Sequence, residues 1–163
     1  VPQAIGAQTA FPDRQVIALA GDGGLTMLLG ELITIVQNKL PVKIVVFDNS
    51  SLNFVELEMK AAGFVNYGTE LQNPDFAAVA EAIGIKGFQV DVSDDFEDAM
   101  AAALAHDGPA LVSVRANRQE LSMPPAVTLE QAKGFTLYAI RTVLSGRGDE
   151  LLDLASTNAR QLL

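Results

Sequence analysis

Two continuous apolar runs lie in the first third of the chain, at residues 16–20 and 42–47. Both are rich in β-branched residues and neither alternates with polar positions, which is typical of strands buried on both faces of a parallel sheet. Between them, residues 25–38 carry apolar side chains at helical spacing. The pattern therefore predicts a strand, a glycine turn, a helix and a second, parallel strand.

The same alternation continues along the rest of the chain. Further apolar runs predict strands at residues 85–92 and 110–114, and helical spacing predicts helices at 55–62, 75–83 and from 128 to about 144. Strands that alternate with helices in this way indicate an α/β fold, in which a three-layer, mostly parallel sheet carries helices on both faces.

Polar residues mark the predicted helix starts. The residues with N-cap preference are Asn73 (followed by Pro74), Ser93, Thr128 (paired with Gln131 in a capping-box pattern) and Asp149. Gly134 is predicted to interrupt the helix that begins after Thr128, because glycine is a weak helix former.

Composition limits the class of protein. The chain has 163 residues, of which 49% are apolar, enough for a hydrophobic core. We expect one domain at residues 1–119 and a C-terminal helical tail at 120–163, with the break near Pro124 and Pro125. The net charge of −9 argues against a nucleic-acid partner. The chain has no cysteine, so it has no disulfide framework, which is compatible with the cytoplasm.

Candidate chemistry lies where the first two predicted strands end. Gly21-Asp22-Gly23-Gly24 follows one strand and Asp48-Asn49 ends the next. Ligands of parallel sheets gather at the carboxyl ends of the strands, and glycines let the backbone approach a phosphate closely. Because the Asp22 carboxylate would repel a diphosphate, a divalent cation such as Mg²⁺ is expected between them, with the Asn49 amide oxygen as a neutral ligand.

Two other interpretations of the glycine turn stay open at this point. Asp22 can belong to an ordinary strand-to-helix turn and cap the helix. Alternatively, Gly21 and Gly23 can start a dinucleotide-binding turn with Asp48 on a ribose, although the third glycine of that fingerprint falls on Thr26.

The GDGG turn followed by Asn49 resembles the fingerprint of thiamine-diphosphate enzymes, in which GDG is followed by a pair of asparagines; Asp48 stands here in place of the first. The chain is most similar to the quinone-linked pyruvate dehydrogenases, or pyruvate oxidases. The similar stretches are residues 2–8, 40–47, 54–55, 58–60, 68–71, 129–135 and the tail segment 145–150.

This resemblance implies a cofactor, a metal and the residues that hold them. The residues implied to bind thiamine diphosphate are Asp22, Gly23, Gly24, Asn49, Ser50, Ser51, Leu52, Asn53, Phe54 and Val55. The implied Mg²⁺ ligands are Asp22, Asn49 and Ser51. Phe54 is the implied catalytic residue, since it matches a phenylalanine between the thiamine intermediate and the flavin in similar enzymes; the competing interpretation is an ordinary core aromatic.

The resemblance also implies a reaction and partners. Similar enzymes oxidise pyruvate to acetate and CO₂ and pass electrons through FAD to a quinone. Because the chain starts at Val1 and not at Met, we expect a fragment that lacks the flavin-binding domain and is inactive alone. A homodimer or homotetramer is implied, as is a peripheral location on the inner face of the cell membrane, with lipid contacted by the tail. Non-oxidative relatives (acetolactate synthase, keto-acid decarboxylases) and a non-catalytic interaction module remain alternatives.

Three further side chains outside the proposed ligand residues are candidates for a functional role. Glu56 and Glu58 follow the proposed ligand residues and are expected on a solvated face, as most charged side chains are. His106 is the only histidine and precedes Gly108. We expect it at a helix C-terminus as a partner of the helix dipole.

Overall fold

The computed structural model describes residues 1–119 and 128–159. Its sheet has four parallel strands in the order β1-β2-β4-β3. The strands are β1 (Ile17–Gly21), β2 (Lys43–Asp48), β3 (Lys86–Val90) and β4 (Ala110–Arg115). The predicted parallel α/β architecture is therefore confirmed.

Helices connect these strands and continue beyond the sheet. In chain order they are α1 (Pro2–Ala10), α2 (Asp22–Thr26), α3 (Glu31–Gln37), α4 (Asn53–Ala61), α5 (Phe76–Ala82), α6 (Phe96–Ala105), α7 (Leu129–Leu144) and α8 (Gly148–Asn158). A single 3₁₀ turn, Ser93–Asp95, precedes α6. None of the helices in the described part of the chain is long and apolar enough to cross a membrane.

The chain divides into two compact units. Unit 1 consists of Val1–Ser50 and Gln72–Ala116, and unit 2 of Ser51–Leu71 and the described part of Asn117–Leu163. Unit 1 contains the whole sheet, and unit 2 contains α4, α7 and α8. The domain boundary expected after residue 119 stays a prediction, and Pro124 and Pro125 lie outside the described residues.

Helices cover both faces of the sheet in unit 1. One face packs against α1, α3 and α5 through a buried cluster that includes Leu32, Ile44 and Phe76. The other face packs against α6, where Ala103 lies with Val90 and Val112. This three-layer arrangement buries most residues of the inner strands β2 and β4, and burial of apolar surface is the dominant favourable term in folding.

Strands β1 and β2 differ in burial, although their sequences predicted the same environment. Strand β2 lies inside the sheet, and five of its six residues are buried. Strand β1 is at the edge, where Leu19 is 70% exposed and Ile17 is 45% exposed. The prediction that both faces of the first strand are buried is therefore wrong for the described residues. An apolar run shows that a strand can be buried, but the position of the strand in the sheet decides how much of it is buried.

The helix predicted over residues 25–38 is divided into α2 and α3. Between them, the Leu28 amide donates to the Leu25 carbonyl and the Glu31 amide donates to the Leu28 carbonyl, at 3.1 and 3.0 Å. These are bonds to the third residue back, which are characteristic of the tighter 3₁₀ turn. Gly24 and Gly30 weaken the α-helix here, because glycine loses more backbone entropy on folding than other residues.

Two caps predicted in unit 1, Asn73 and Ser93, are wrong. Asp75, not Asn73, caps α5, since its Oδ1 accepts from the amide of Ala78 at 2.9 Å. Ser93 is not a cap, because its hydroxyl donates to the Asp94 carboxylate and α6 begins three residues later. His106 is the C-cap residue of α6, and its carbonyl accepts a hydrogen bond from Lys43.

Unit 2 is organised around the packing of α4 on α7. The capping box of Thr128 and Gln131 is present. Helix α7 is continuous through Gly134, so the predicted interruption is wrong. A Cβ at Gly134 would collide with the carbonyl oxygen of Ala61, so glycine allows the two backbones to approach closely. Arg147 takes the N-cap position of α8 predicted for Asp149.

Candidate functional site

The carboxyl ends of β1 and β2 bring two acidic residues together. The two strands are neighbours, and Gly21 is paired with Phe47 in their register. Asp22 follows Gly21 and Asp48 follows Phe47, so both lie at the same edge of the sheet, where ligands of parallel α/β folds bind. Both residues are only 3% exposed.

Asp22 is held entirely by neutral donors. Its Oδ1 accepts from the backbone amide of Gly23 at 2.7 Å. Its Oδ2 accepts from the amide of Ser50 and from the side-chain Nδ2 of Asn73, both at 2.7 Å. No ion pair among the described residues includes Asp22. A buried carboxylate without a cationic partner is costly, because its charge is removed from water and only partly compensated.

Asp48 has a similar set of donors and, in addition, a cation. The Nη1 of Arg115 lies 3.1 Å from its Oδ2. Its Oδ1 accepts from Asn73 Nδ2 at 2.8 Å and from the amide and hydroxyl of Ser50 at 3.2 Å. Among the described residues, Asp48 therefore has a cationic partner and Asp22 has none.

Asn73 was not predicted as part of this site. Its preference for helix starts suggested an N-cap, but Asp75 fills that role and Asn73 donates instead to Asp22 and Asp48. The signal available in the sequence was the spacing of two cap-forming residues before one helix. Since a helix has one N-cap, the second residue of such a pair is free for other contacts.

Ser50 has an unusual backbone. Its φ is +55°, in the left-handed region that residues other than glycine rarely adopt. This conformation lets one amide donate to Asp22 and Asp48 at the same time. Strained residues of this kind persist where the surroundings hold them in place, and they are concentrated at functional sites.

The predicted ligand residues are divided between the two units. Unit 1 contains Asp22, Gly23, Gly24, Asn49 and Ser50, and unit 2 contains Ser51, Leu52, Asn53, Phe54 and Val55. In unit 2 the Leu52 amide donates to the Thr69 carbonyl at 2.8 Å, and α4 begins at Asn53. Phe54 is 76% exposed, so it is not a core aromatic in the described part of the chain.

Glu56 is the centre of a buried polar network in unit 2, and its expected place on a solvated face is wrong. It is 1% exposed and its Oε1 lies 2.8 Å from Lys60, which is equally buried. Its Oε2 accepts from the hydroxyls of Ser51 and Thr69 at 2.9 and 3.3 Å and from Arg118 at 3.2 Å. Glu58, two residues further along α4, is exposed as expected.

The pKa of Glu56 reflects this network. Burial alone would raise it, but the hydrogen bond and charge of Lys60, the Ser51 hydroxyl and the charge of Arg118 together lower the pKa of Glu56 below its ordinary value. The charged form of Glu56 is therefore the one that this ion-pair network stabilises.

Comparison with known proteins identifies the family of the chain. The parallel sheet with acidic and amide side chains at its carboxyl edge defines a ligand-binding α/β domain. The family model "Thiamine pyrophosphate enzyme, C-terminal TPP binding domain" matches residues 1–114. The chain belongs to this family and is a thiamine-pyrophosphate-binding domain.

Relatives with different reactions resemble the chain to a similar degree. YdaP of Bacillus subtilis (strain 168), named only as a thiamine pyrophosphate-containing protein, is 37% identical over 98% of the chain and 28% of its own length. The large subunit of acetolactate synthase isozyme 2 of Escherichia coli (strain K12) is 36% identical over 76% of the chain and 23% of its length. The pyruvate oxidase of Lactiplantibacillus plantarum is 36% identical over 69% of the chain and 19% of its length.

A solved structure shows the same fold. The thiamine diphosphate-dependent 4-hydroxybenzoylformate decarboxylase of Rhodococcus jostii RHA1 is 37% identical, with a TM-score of 0.67 over 72% of the chain and 22% of its own. The chain thus spans about a quarter of the length of the proteins it matches.

Proposed function

We propose that this domain binds thiamine diphosphate through a divalent cation, Mg²⁺, held by Asp22. The observation that carries the proposal is the buried Asp22 carboxylate, whose described partners are all neutral. Mg²⁺ favours carboxylate and carbonyl oxygens and keeps substrate phosphates as further ligands. A cation at Asp22 supplies the missing positive charge and lets a diphosphate bind beside a carboxylate.

The remaining predicted residues complete the proposed site. Asn49 and Ser51 contribute neutral oxygens to the cation, and Gly23 and Gly24 allow the diphosphate to reach the backbone. A Cβ at Gly24 would meet no atom within 4 Å, so the space beside this residue is open to a ligand. When bound, thiamine diphosphate supplies the electron sink for decarboxylation of a 2-keto acid.

The proposed reaction of the whole protein is the oxidation of pyruvate to acetate and CO₂, with electrons passed through FAD to a quinone. The resemblance of the tail segment 145–150 to quinone-linked pyruvate dehydrogenases supports it, as does the pyruvate oxidase relative. The acetolactate synthase relative, similarly close and covering more of the chain, favours a second candidate, the non-oxidative condensation of 2-keto acids.

The products separate these two reactions. The full-length gene product is incubated with pyruvate, Mg²⁺ and thiamine diphosphate, with ferricyanide or a quinone as acceptor. We expect acetate and a reduced acceptor. Acetolactate without acceptor reduction would favour the second candidate, and no turnover of pyruvate would remove both.

Phe54 is the residue proposed to act near the cofactor. Its 76% exposure leaves the ring available to a ligand or to another part of the protein. In Phe54→Ala, flavin reduction should slow more than decarboxylation. Stopped-flow absorbance of the flavin, beside CO₂ release, measures the two rates; equal slowing of both would remove this role. Phe64→Ala, another exposed phenylalanine of unit 2, is the control.

The proposed partners beyond the substrate are a second copy of the protein, a quinone and a membrane lipid. Leu144 and Leu152, in α7 and α8, are 81% and 73% exposed, and such apolar side chains gain free energy when covered. Arg160, Leu162 and Leu163 of the predicted C-terminal helical tail lie outside the described residues. The proposed location is the cytoplasm, with peripheral attachment to the membrane. Vesicle flotation of the full-length protein, with and without residues 146–163, tests this attachment.

The test of the site itself is calorimetry of thiamine diphosphate binding with and without Mg²⁺. In the full-length gene product, Asp22→Ala should abolish the Mg²⁺-dependent binding, and Asn49→Ala should weaken it less because a neutral ligand is lost. Asn38→Ala changes an exposed asparagine in a turn and serves as the control. Binding that is unchanged in Asp22→Ala would overturn the proposed cation site.

A further inference from the structure

We propose that Arg115 is a positioning residue that sets the charge of the cation site: it pairs with Asp48 so that only the charge of Asp22 is left for the divalent cation. This inference rests on the proposed function. The sequence departs here from the family's fingerprint, because a carboxylate, Asp48, stands where the first asparagine is usual. A second carboxylate beside a cation site changes its affinity unless another charge cancels it.

The contacts show that the two carboxylates act as one electrostatic unit. A single nitrogen atom, Asn73 Nδ2, lies 2.7 Å from Asp22 Oδ2 and 2.8 Å from Asp48 Oδ1. The Ser50 amide also donates to both oxygens, at 2.7 and 3.2 Å. At such short separations between buried groups, a charge on one carboxylate is felt strongly by any cation held at the other.

Arg115 is placed to cancel one of these charges without entering the site. Its Nη1 lies 3.1 Å from Asp48 Oδ2, the oxygen that Asn73 and Ser50 leave to it. The guanidinium also lies 4.0 Å from Asp91, and its side chain is 55% exposed. The residue can therefore be replaced without opening a cavity in the core, which makes a charge effect separable from a packing effect.

The direction of the expected effect distinguishes this role from a structural one. If Arg115 only supported the fold, its loss would weaken cation binding. If it cancels the charge of Asp48, its loss leaves two uncompensated carboxylates and should tighten binding. We expect Arg115→Met to bind Mn²⁺, used in place of Mg²⁺, roughly three- to tenfold more tightly at low ionic strength. Arg115→Lys, which keeps the positive charge, should bind Mn²⁺ with about the same affinity as the original protein.

Three matched variants complete the test. Asp48→Asn leaves the positive charge of Arg115 with only the more distant Asp91, at 4.0 Å, and should weaken Mn²⁺ binding. The double variant Asp48→Asn with Arg115→Met loses both charges and should bind within about threefold of the original protein. Arg14→Met makes the same charge change in the loop before β1, at the opposite end of the sheet, and should have little effect.

The measurement is electron paramagnetic resonance of free Mn²⁺ in titrations of the full-length gene product, first alone and then with thiamine diphosphate. Asp22→Ala gives the background from other sites, and circular dichroism without metal reports the folding of each variant. If the original protein binds no more Mn²⁺ than Asp22→Ala, the proposed function fails. Two results would overturn the role of Arg115 in a protein that does bind Mn²⁺ at Asp22. One is that Arg115→Met binds Mn²⁺ as tightly as the original protein or more weakly. The other is that the affinity of the double variant for Mn²⁺ differs tenfold from that of the original protein. If Arg115→Met weakens only the thiamine diphosphate step, Arg115 contacts the diphosphate and this proposal is likewise wrong.

Discussion

The two buried carboxylates Asp22 and Glu56 differ in what compensates their charge. In unit 2, Glu56 has two cations, Lys60 and Arg118, within 3.2 Å. In unit 1, Asp22 has amide donors alone among the described contacts. Folding completes the charge balance of the Glu56 site, whereas that of the Asp22 site is incomplete among the described residues, and it is this site that we propose binds a cation. Burial of an acidic residue therefore does not by itself indicate a ligand site, and the charge of its partners distinguishes a completed ion-pair network from a candidate site.

The largest expected effect on folding comes from breaking the completed site. Glu56→Ala leaves Lys60 buried without its carboxylate, which should lower the free energy of unfolding by about 3–5 kcal/mol. Both tyrosines of the chain, Tyr67 and Tyr138, lie in unit 2, and Tyr138 is 1% exposed. Urea unfolding followed by tyrosine fluorescence therefore reports on this unit.

The control for Glu56 is its exposed neighbour on the same helix. Glu58→Ala should change the free energy of unfolding by less than about 0.5 kcal/mol. Replacing both partners, Glu56→Met with Lys60→Met, should recover only part of the loss: the buried ammonium is removed, but Ser51, Thr69 and Arg118 still lose their acceptor. Equal effects of Glu56→Ala and Glu58→Ala would mean that the ion pair does not stabilise unit 2.

A somewhat smaller effect is expected where the helices of unit 2 pack. Gly134→Ala forces α4 and α7 apart, since the new Cβ would meet the Ala61 carbonyl, and overpacking of this kind costs about 1–3 kcal/mol. Gly148→Ala is the matched control, because a Cβ there meets no atom within 4 Å. The same fluorescence measurement applies. If Gly134→Ala lowers the free energy of unfolding no more than Gly148→Ala does, α4 and α7 accommodate the new methyl group without loss of stability.

The pH dependence of unit 2 should follow from Glu56. Its pKa is lower in the folded chain than in the unfolded chain. The stabilisation is therefore fully present above the unfolded value of about 4.3 and is lost as the pH falls through the folded pKa. Below pH 4.3 the free energy of unfolding should fall by up to about 1.4 kcal/mol per pH unit from this group. Urea titrations at several pH values should show a shallower fall in Glu56→Gln; an equal slope would contradict the assignment.

The same comparison explains what the sequence could and could not predict. The strands and the α/β fold followed from apolar runs such as residues 42–47, because periodicity is a local property. The position of Asp22 at the edge of the sheet followed from its place directly after a predicted strand, and the rule that ligands gather at strand ends made it a candidate site residue. The bridging role of Asn73 did not follow, because its partners Asp22 and Asp48 are far away in the chain. The burial of Glu56 did not follow either: Lys60 is only four residues away, but burial also depends on the packing of α4 and on the distant Arg118.

The solvent exposure of each strand also could not be predicted from its local sequence. Residues 16–20 and 42–47 have similar compositions, yet β1 is an edge strand and β2 is an inner one. Strand order is decided by which helices and loops connect the strands, and no single run encodes it. The Gly134 prediction failed for a related reason: glycine in a helix marks either a break or a close contact, and only the packing partner distinguishes them.

The smallest expected effect on folding belongs to the incomplete site, and it is the sharpest test of the comparison. In Asp22→Asn the charge is removed while most of the shape is kept. Without ligands, the free energy of unfolding should change by no more than about 1 kcal/mol, because the loss of charge-assisted hydrogen bonds is offset by the removal of a buried charge that has no cationic partner. With Mg²⁺ and thiamine diphosphate at 100 times the dissociation constant, the original full-length protein should gain about 2.7 kcal/mol, and the variant should gain almost nothing. Thermal unfolding with and without both ligands measures this difference. If the variant is stabilised by the ligands as strongly as the original protein, Asp22 is satisfied by its neutral donors alone and the contrast with Glu56 disappears.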